Sequence, residues 1–176
     1  IDQDEAALQI AKKNLDFFEG RLKLYHGNFR EMASFLREDF PQGVDGILLD
    51  LGVSSFQLEQ EDRGFSYHKD AYLDMRMNQK QEFTAADLVN NFSCEELTRV
   101  IRDYGEERWA SRIAQFIVIE REKVPLTTTE QLVSVIKAAI PVKARKKGPH
   151  PARRTFQAIR IAVNQELEAL QEGLYQ

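Results

Sequence analysis

The sequence predicts an α/β fold, a Rossmann-like parallel sheet carrying an inserted all-helical domain. Three observations lead there. The apolar run Gly46-Ile47-Leu48-Leu49 ends in the carboxylate of Asp50 and passes at once into Leu51-Gly52-Val53-Ser54-Ser55. Apolar residues without polar alternation suit a strand buried on both faces of a parallel sheet. A second carboxylate, Asp2, closes what reads as the tail of another strand, and ligands of open α/β sheets bind beyond the carboxyl ends of the strands. After Gln57 the pattern becomes helical.

The elements follow in order. Residues 4–19 form a helix, with Ala7, Leu8, Ala11, Leu15 and Phe18 on one stripe and Gly20 as its stop. Residues 21–28 alternate like a strand, with Leu22, Leu24 and His26 on one face. Residues 29–38 make a short helix, and Pro41 and Gly43 precede the buried strand at 44–51. Residues 58–83 are a polar loop with no clean period, and loops of that length inside a compact domain are usually functional.

Thr84-Ala85-Ala86-Asp87 and Ser93-Cys94-Glu95-Glu96 resemble capping boxes. Leu97, Val100, Ile101 and Tyr104 line the helix after them, which Gly105 ends. Trp109, Ile113, Phe116 and Ile117 line the next, and Leu132, Ile136, Ala139 and Ile140 a third. The final helix runs from about Arg154 to Gly173 with Phe156, Ile159, Val163, Leu167 and Leu170 inward. Residues 1–57 and 150–176 are thus expected to form one domain and residues 58–149 its helical insert.

Composition narrows the function. The 176 residues are 43% hydrophobic and 30% charged, enough apolar material for a packed core. A net charge of −4 argues against a surface coated by nucleic acid but leaves room for local basic patches. One cysteine, Cys94, permits no internal disulfide and fits a reducing cytoplasm. No signal peptide is visible, and no apolar run approaches the roughly 18 residues of a membrane span. Three scattered histidines and one cysteine give no metal-ligand spacing. The chain begins at Ile1-Asp2, without Met, in what reads as the middle of a fold.

Asp2 at a strand tip can accept both hydroxyls of a cofactor ribose. Asp2, Asp4 and Glu5 also precede a helix whose dipole they favour, and position alone leaves the two roles equally open. Phe29 could stack on an adenine ring, although taken alone a core position is the simpler reading. Asp50 can accept N–H bonds from a planar exocyclic amine and so localise the nitrogen lone pair; its alternative is capping of the Gly52 or Val53 amide. Asp74 and Arg76 most simply form a structural ion pair. Residues 143–154 hold six cations in a stretch stiffened by Pro149 and Pro151. Such runs are usually solvated, but a rigid basic segment beside the core suits phosphate contacts.

Several long motifs then stand together: Asp50-Leu51-Gly52-Val53-Ser54-Ser55-Phe56-Gln57-Leu58, Arg63-Gly64-Phe65-Ser66, Leu73-Asp74-Met75-Arg76-Met77, Tyr104-Gly105-Glu106-Glu107, and His150-Pro151-Ala152-Arg153-Arg154-Thr155-Phe156-Gln157-Ala158-Ile159-Arg160. In that order, over essentially the whole chain, they resemble the bacterial 16S rRNA (cytosine-N4) methyltransferase family. Phe56 and Tyr72 stand where that family usually has Pro.

The resemblance implies a class I methyltransferase sheet, incomplete here at both ends, with the helical insert recognising substrate. It implies S-adenosylmethionine as cofactor and a cytosine N4 in the decoding centre (P-site) of 16S rRNA, in the small ribosomal subunit, as target. It places Asp2 on the cofactor ribose, Phe29 and Asp50 beside its adenine and methionine parts, and Gln57 in the same pocket, with Asp50 also catalytic. The RNA would meet Lys143, Arg145, Lys146, Lys147, His150, Arg153 and Arg154. The family's Gly-rich loop is expected before Ile1 and its last strands after Gln176. A chain without them would expose sheet edges and self-associate, so a homodimer is an expected partner. Two rival classes are a non-catalytic RNA-binding or ribosome-assembly protein and a small-molecule or protein methyltransferase on the same scaffold.

Overall fold

A computed structural model describes residues 1–18, 20–145 and 148–176. They divide into two compact units. The first comprises Ile1–Val53, Met77–Lys80 and Gln165–Gln176, the second Ser54–Arg76 and Gln81–Asn164.

The Rossmann-like sheet expected from the sequence is absent. Among the described residues there is no β-strand, only two isolated bridges, a parallel one between Asp2 and His26 and an antiparallel one between Tyr72 and Thr128. Residues 47–49, read as a strand buried on both faces, are irregular, with Ile47 59% and Leu48 91% exposed. The segment at 21–28 is irregular except at His26. The reason is that a strand is defined by its neighbours. An apolar run signals that a segment is buried if it is paired on both sides, but it does not supply the pairing.

In the first unit, helix α1 (Glu5–Leu15) is capped by Asp4, whose buried carboxylate accepts the Ala6 N–H at 3.0 Å. A 3-10 turn, Asp16–Phe18, extends it; Glu19, the end of the expected helix, lies outside the described residues. A second 3-10 turn, Phe29–Glu31, capped by Asn28, leads into α2 (Met32–Leu36). The last helix of this unit, α10 (Glu166–Leu174), packs on the Phe29–Glu31 turn. Gly173 permits the approach, since a Cβ there would come within 2.8 Å of the Phe29 ring. The Arg30 guanidinium donates to the Gln165 side chain at 3.2 Å and to its carbonyl at 3.3 Å.

The second unit holds nearly all of the hydrophobic core. Its helices are α3 (Ser55–Glu59), α4 (Ala85–Asn91), α5 (Cys94–Asp103), α6 (Ala110–Arg121), α7 (Thr129–Ala139), α8 (Val142–Arg145) and α9 (Arg153–Asn164). Leu88, Leu97, Ile101, Ile113, Ile117, Leu132, Ile136 and Ile159 are fully buried. Both expected capping boxes are present, and Asp87 serves in the first despite being the shorter acid. Thr128 with Gln131 and Ser54 with Gln57 add two more. At the α5–α9 crossing Gly105 is required by space, because a Cβ would lie 2.5 Å from the Arg154 carbonyl.

The segment read as a polar loop is largely built into this core. Phe65, Leu73 and Met75 are buried. Its backbone is tied down by Met75 N–H to the Arg63 carbonyl at 3.0 Å, Leu73 N–H to Thr127 at 2.9 Å and Ala86 N–H to Leu73 at 2.7 Å. Asp74 and Arg76 form the expected ion pair, two parallel bonds of 2.8 Å.

The final helix also differs from expectation. Phe156, Ile159 and Val163 face inward as read, but Gln165 adopts a left-handed conformation (φ 49°) that separates α9 from α10. Leu167 is exposed. At the break the Asn164 amide donates to the carbonyls of Met75 at 2.7 Å and Arg160 at 2.9 Å.

Candidate functional site

Asp2 sits where its own backbone bridges two residues of the chain. Its N–H donates to the Tyr25 carbonyl at 3.1 Å and its carbonyl accepts from Gly27 N–H at 3.0 Å. This brings the Asp2 carboxylate beside the segment that delivers Phe29. One carboxylate oxygen accepts the Asp4 N–H at 2.8 Å, a link to the start of α1 that fits the helix-entry reading. The other oxygen has no partner among the described residues, and the side chain is exposed, so an acceptor remains for a ligand hydroxyl. Phe29 is half-buried, with its ring against Gly173.

Asp50 is exposed at the end of the irregular segment. Its carboxylate has no hydrogen-bond partner among the described residues, so the capping of Gly52 or Val53 weighed from the sequence is not made. Gln57 is committed differently from the other three. It is 4% exposed, and its side-chain oxygen accepts the Ser54 N–H at 3.0 Å in the capping box of α3. That bond helps to hold the start of α3.

In the second unit the basic connector forms one wall of a cleft of about 830 Å³. Lys143, Arg145, His150 and Arg154 line it; Arg153 is exposed at the start of α9, and Lys146 and Lys147 lie outside the described residues. Arg154 is steered by its bond to the Glu106 carbonyl at 2.6 Å. The His150 ring stacks on Tyr67 at 4.7 Å, 7° from parallel, and Phe156 meets the same tyrosine edge-on. His150 Nδ1 accepts the Ala152 N–H at 3.3 Å, which requires that nitrogen to be unprotonated. Burial, reinforced by the charges of Lys137 and His68, holds its pKa below the ordinary histidine value.

The other wall was not foreseen. The sequence spacing puts Trp109 and Phe116 on a buried helical stripe, yet Trp109, at the N-cap of α6, and Phe116 are only half-buried, while Ile113 and Ile117 of that stripe are fully inside. Each ring carries a guanidinium: Arg108 lies 5.3 Å from the Trp109 ring centre and Arg112 5.4 Å from that of Phe116. The sequence does hold a signal for the second pair, since Arg112 and Phe116 are four residues apart on one helix.

These features meet a clear relationship. All 176 residues match the MraW methylase family, and the chain belongs to it. It is 58% identical to the ribosomal RNA small subunit methyltransferase H of Symbiobacterium thermophilum over 174 residues, 99% of this chain and 55% of that protein. The protein of the same name from Clostridioides difficile is 56% identical over 167 residues, 95% of this chain and 54% of the relative. That from Geobacter sp. strain M21 is 53% identical over 174 residues, 99% and 56%. The chain therefore spans about half the length of the curated relatives it matches.

Proposed function

We propose that the protein is an S-adenosylmethionine-dependent methyltransferase acting on the exocyclic N4 of a cytosine in the decoding centre of 16S rRNA, in the cytoplasm. The observation that carries this reading is the family match along the whole chain, joined to relatives named as small-subunit rRNA methyltransferases. The cations of the basic cleft, which form no ion pair among the described residues, favour RNA over a small-molecule or protein substrate.

The residues present suit the cofactor. Asp2 offers an unengaged carboxylate oxygen to a ribose diol, Phe29 a half-open ring to an adenine, and Asp50 an unbonded carboxylate. The cofactor, when bound, would supply an electrophilic methyl group on a sulfonium whose sulfur keeps the electron pair of the broken bond and leaves as a thioether. Asp50 accepts the N–H bonds of the cytosine amine, keeps its lone pair from spreading into the ring and aims it for in-line attack; the proton then leaves to solvent. Gln57 contributes through the capping box that fixes Ser54, just beyond the Asp50 loop. The residue 58–149 insert recognises the RNA, and Lys143, Arg145, His150, Arg153 and Arg154, with Lys146 and Lys147 between them, hold its backbone. Most of the acceleration comes from positioning.

Two substitutions in the full-length protein separate these roles. Asp2→Ala weakens cofactor binding by about 1.5–3 kcal/mol, the worth of charge-assisted bonds, as read by calorimetry. Asp50→Asn leaves the fold intact and slows single-turnover transfer, because an amide accepts fewer and weaker bonds. A single-turnover rate equal to that of the unaltered protein would remove Asp50 from the chemistry.

A further inference from the structure

Trp109 borders open space on two sides. With Arg108 it lines both the 830 Å³ cleft shared with the basic connector and a second cleft of about 440 Å³, which continues along α6 past Arg112 and Phe116. Its indole N–H has no partner among the described residues. Its backbone N–H donates at 2.9 Å to the carboxylate of Glu107, which also lines the larger cleft but is 7% exposed. No carboxylate pairs with Arg108, Lys143, Arg145 or Arg154 among the described residues. A chain of net charge −4 has thus gathered unpaired cations around a half-open aromatic ring. Like charges left this close call for a polyanion, and the ring calls for a flat apolar partner.

We propose that Trp109 is a stacking platform for one unpaired base of single-stranded RNA, with Arg108, Lys143, Arg145 and Arg154 holding the flanking phosphates. Stacking on an aromatic side chain with cations along the backbone is the general means of gripping single strands. The cleft lies within the roughly 300–1,000 Å³ of small-ligand pockets, room for a nucleotide but not for a duplex, whose bases present no free face. Arg108 shares the ring and can close over the base as a second planar surface. The proposal rests on the RNA reading above and adds a site that the reaction itself does not require.

Trp109 is the single tryptophan of these 176 residues, and the emission lost in Trp109→Phe isolates its signal. The full chain is titrated, without cofactor, with a short fluorophore-labelled single-stranded RNA, with the same RNA as a duplex, and with polyglutamate and polyphosphate. Indole emission and RNA anisotropy are followed together. The single strand quenches Trp109 with the same midpoint as the anisotropy change, and the duplex and the two polyanions leave the emission unchanged. Trp109→Ala weakens single-strand binding roughly 5- to 150-fold, the equivalent of one lost stack. Trp109→Phe, which keeps a ring, stays within about threefold.

Single-strand binding with unquenched emission and an unaffected Trp109→Ala variant would overturn the platform and leave the RNA reading standing. Equal quenching by polyphosphate or duplex would reduce the cleft to a general anion site and overturn it as well. Quenching by polyglutamate alone would assign the cleft to an acidic protein. Absence of any RNA binding would remove the RNA reading itself.

Discussion

His150 is held neutral by three features that act on one ring. Burial is the largest, the charges of Lys137 and His68 add to it, and Nδ1 is committed as an acceptor to the Ala152 N–H. The folded-state pKa therefore lies below the value of about 6.5 that the unfolded chain has. With the folded pKa depressed, the unfolded state binds the proton first as pH falls. The associated stability is fully present above about pH 6.5 and is lost as pH falls below that value toward the folded pKa. The urea midpoint of the unaltered protein should thus drop more between pH 7.5 and 5.5 than that of His150→Gln. Parallel drops would show that His150 does not carry the effect. The same residue scale bears on Phe56 and Tyr72, the two positions at which the sequence departs from the resemblance. Tyr72 donates no backbone hydrogen bond among the described residues, and Phe56 lies in the first turn of α3, where N–H groups lack helical acceptors. Neither position needs its N–H, so aromatic residues and proline are equally compatible with the backbone bonding.

At the level of elements, the helices follow the sequence pattern and the expected sheet does not form, for one physical reason. A helix is specified by residues within a few positions of each other. The side chains of Thr84, Asp87, Ser93 and Glu96 close their boxes locally, and the stripe Leu97, Val100 and Ile101 is buried as its spacing requires. A strand at 47–49 depends on partners distant in sequence, which its own residues do not encode. The missed features share this dependence. Leu73 and Met75 are buried because α4, α9 and residue Thr127 receive their backbone, and Gln165 breaks the last helix through φ alone. The Thr128 box shows what local closure is worth. Gln131 Oε1 accepts the N–H groups of Thr127 at 2.7 Å and Thr128 at 3.0 Å, while Thr128 Oγ1 accepts that of Gln131 at 3.3 Å. Thr128→Ala should lower stability by about 1 kcal/mol and Thr128→Ser should restore most of it. Chemical denaturation reads this; a midpoint unchanged in the alanine variant would mean the cap is replaced by solvent at no cost.

For the whole molecule, the two units carry different parts of the proposed function. The first brings the exposed, lightly engaged carboxylate of Asp2 beside the segment leading to Phe29, and it contains Asp50. The second is a helical body with a deep core and a cationic cleft. Of the acids proposed for the site, Asp50 is conspicuous in the sequence because it follows the apolar run Ile47-Leu48-Leu49, and the structure leaves it exposed. The basic connector was legible as a charge run, but its opposite wall was not, because Trp109 sits at a core-like spacing and only its surroundings leave it half-open. Among the described residues no helix is long and apolar enough to cross a membrane. Methyl transfer to a cytosine amine is read out by the identity of the product. The full-length protein is incubated with S-adenosylmethionine carrying a labelled methyl group and with small-subunit RNA, and the RNA is digested to nucleosides and analysed by mass spectrometry. Label is expected in N4-methylcytidine, formed more slowly by Asp50→Asn. Label on a ring carbon or a ribose hydroxyl, or an unmodified cytidine pool with the active, folded protein, would contradict it.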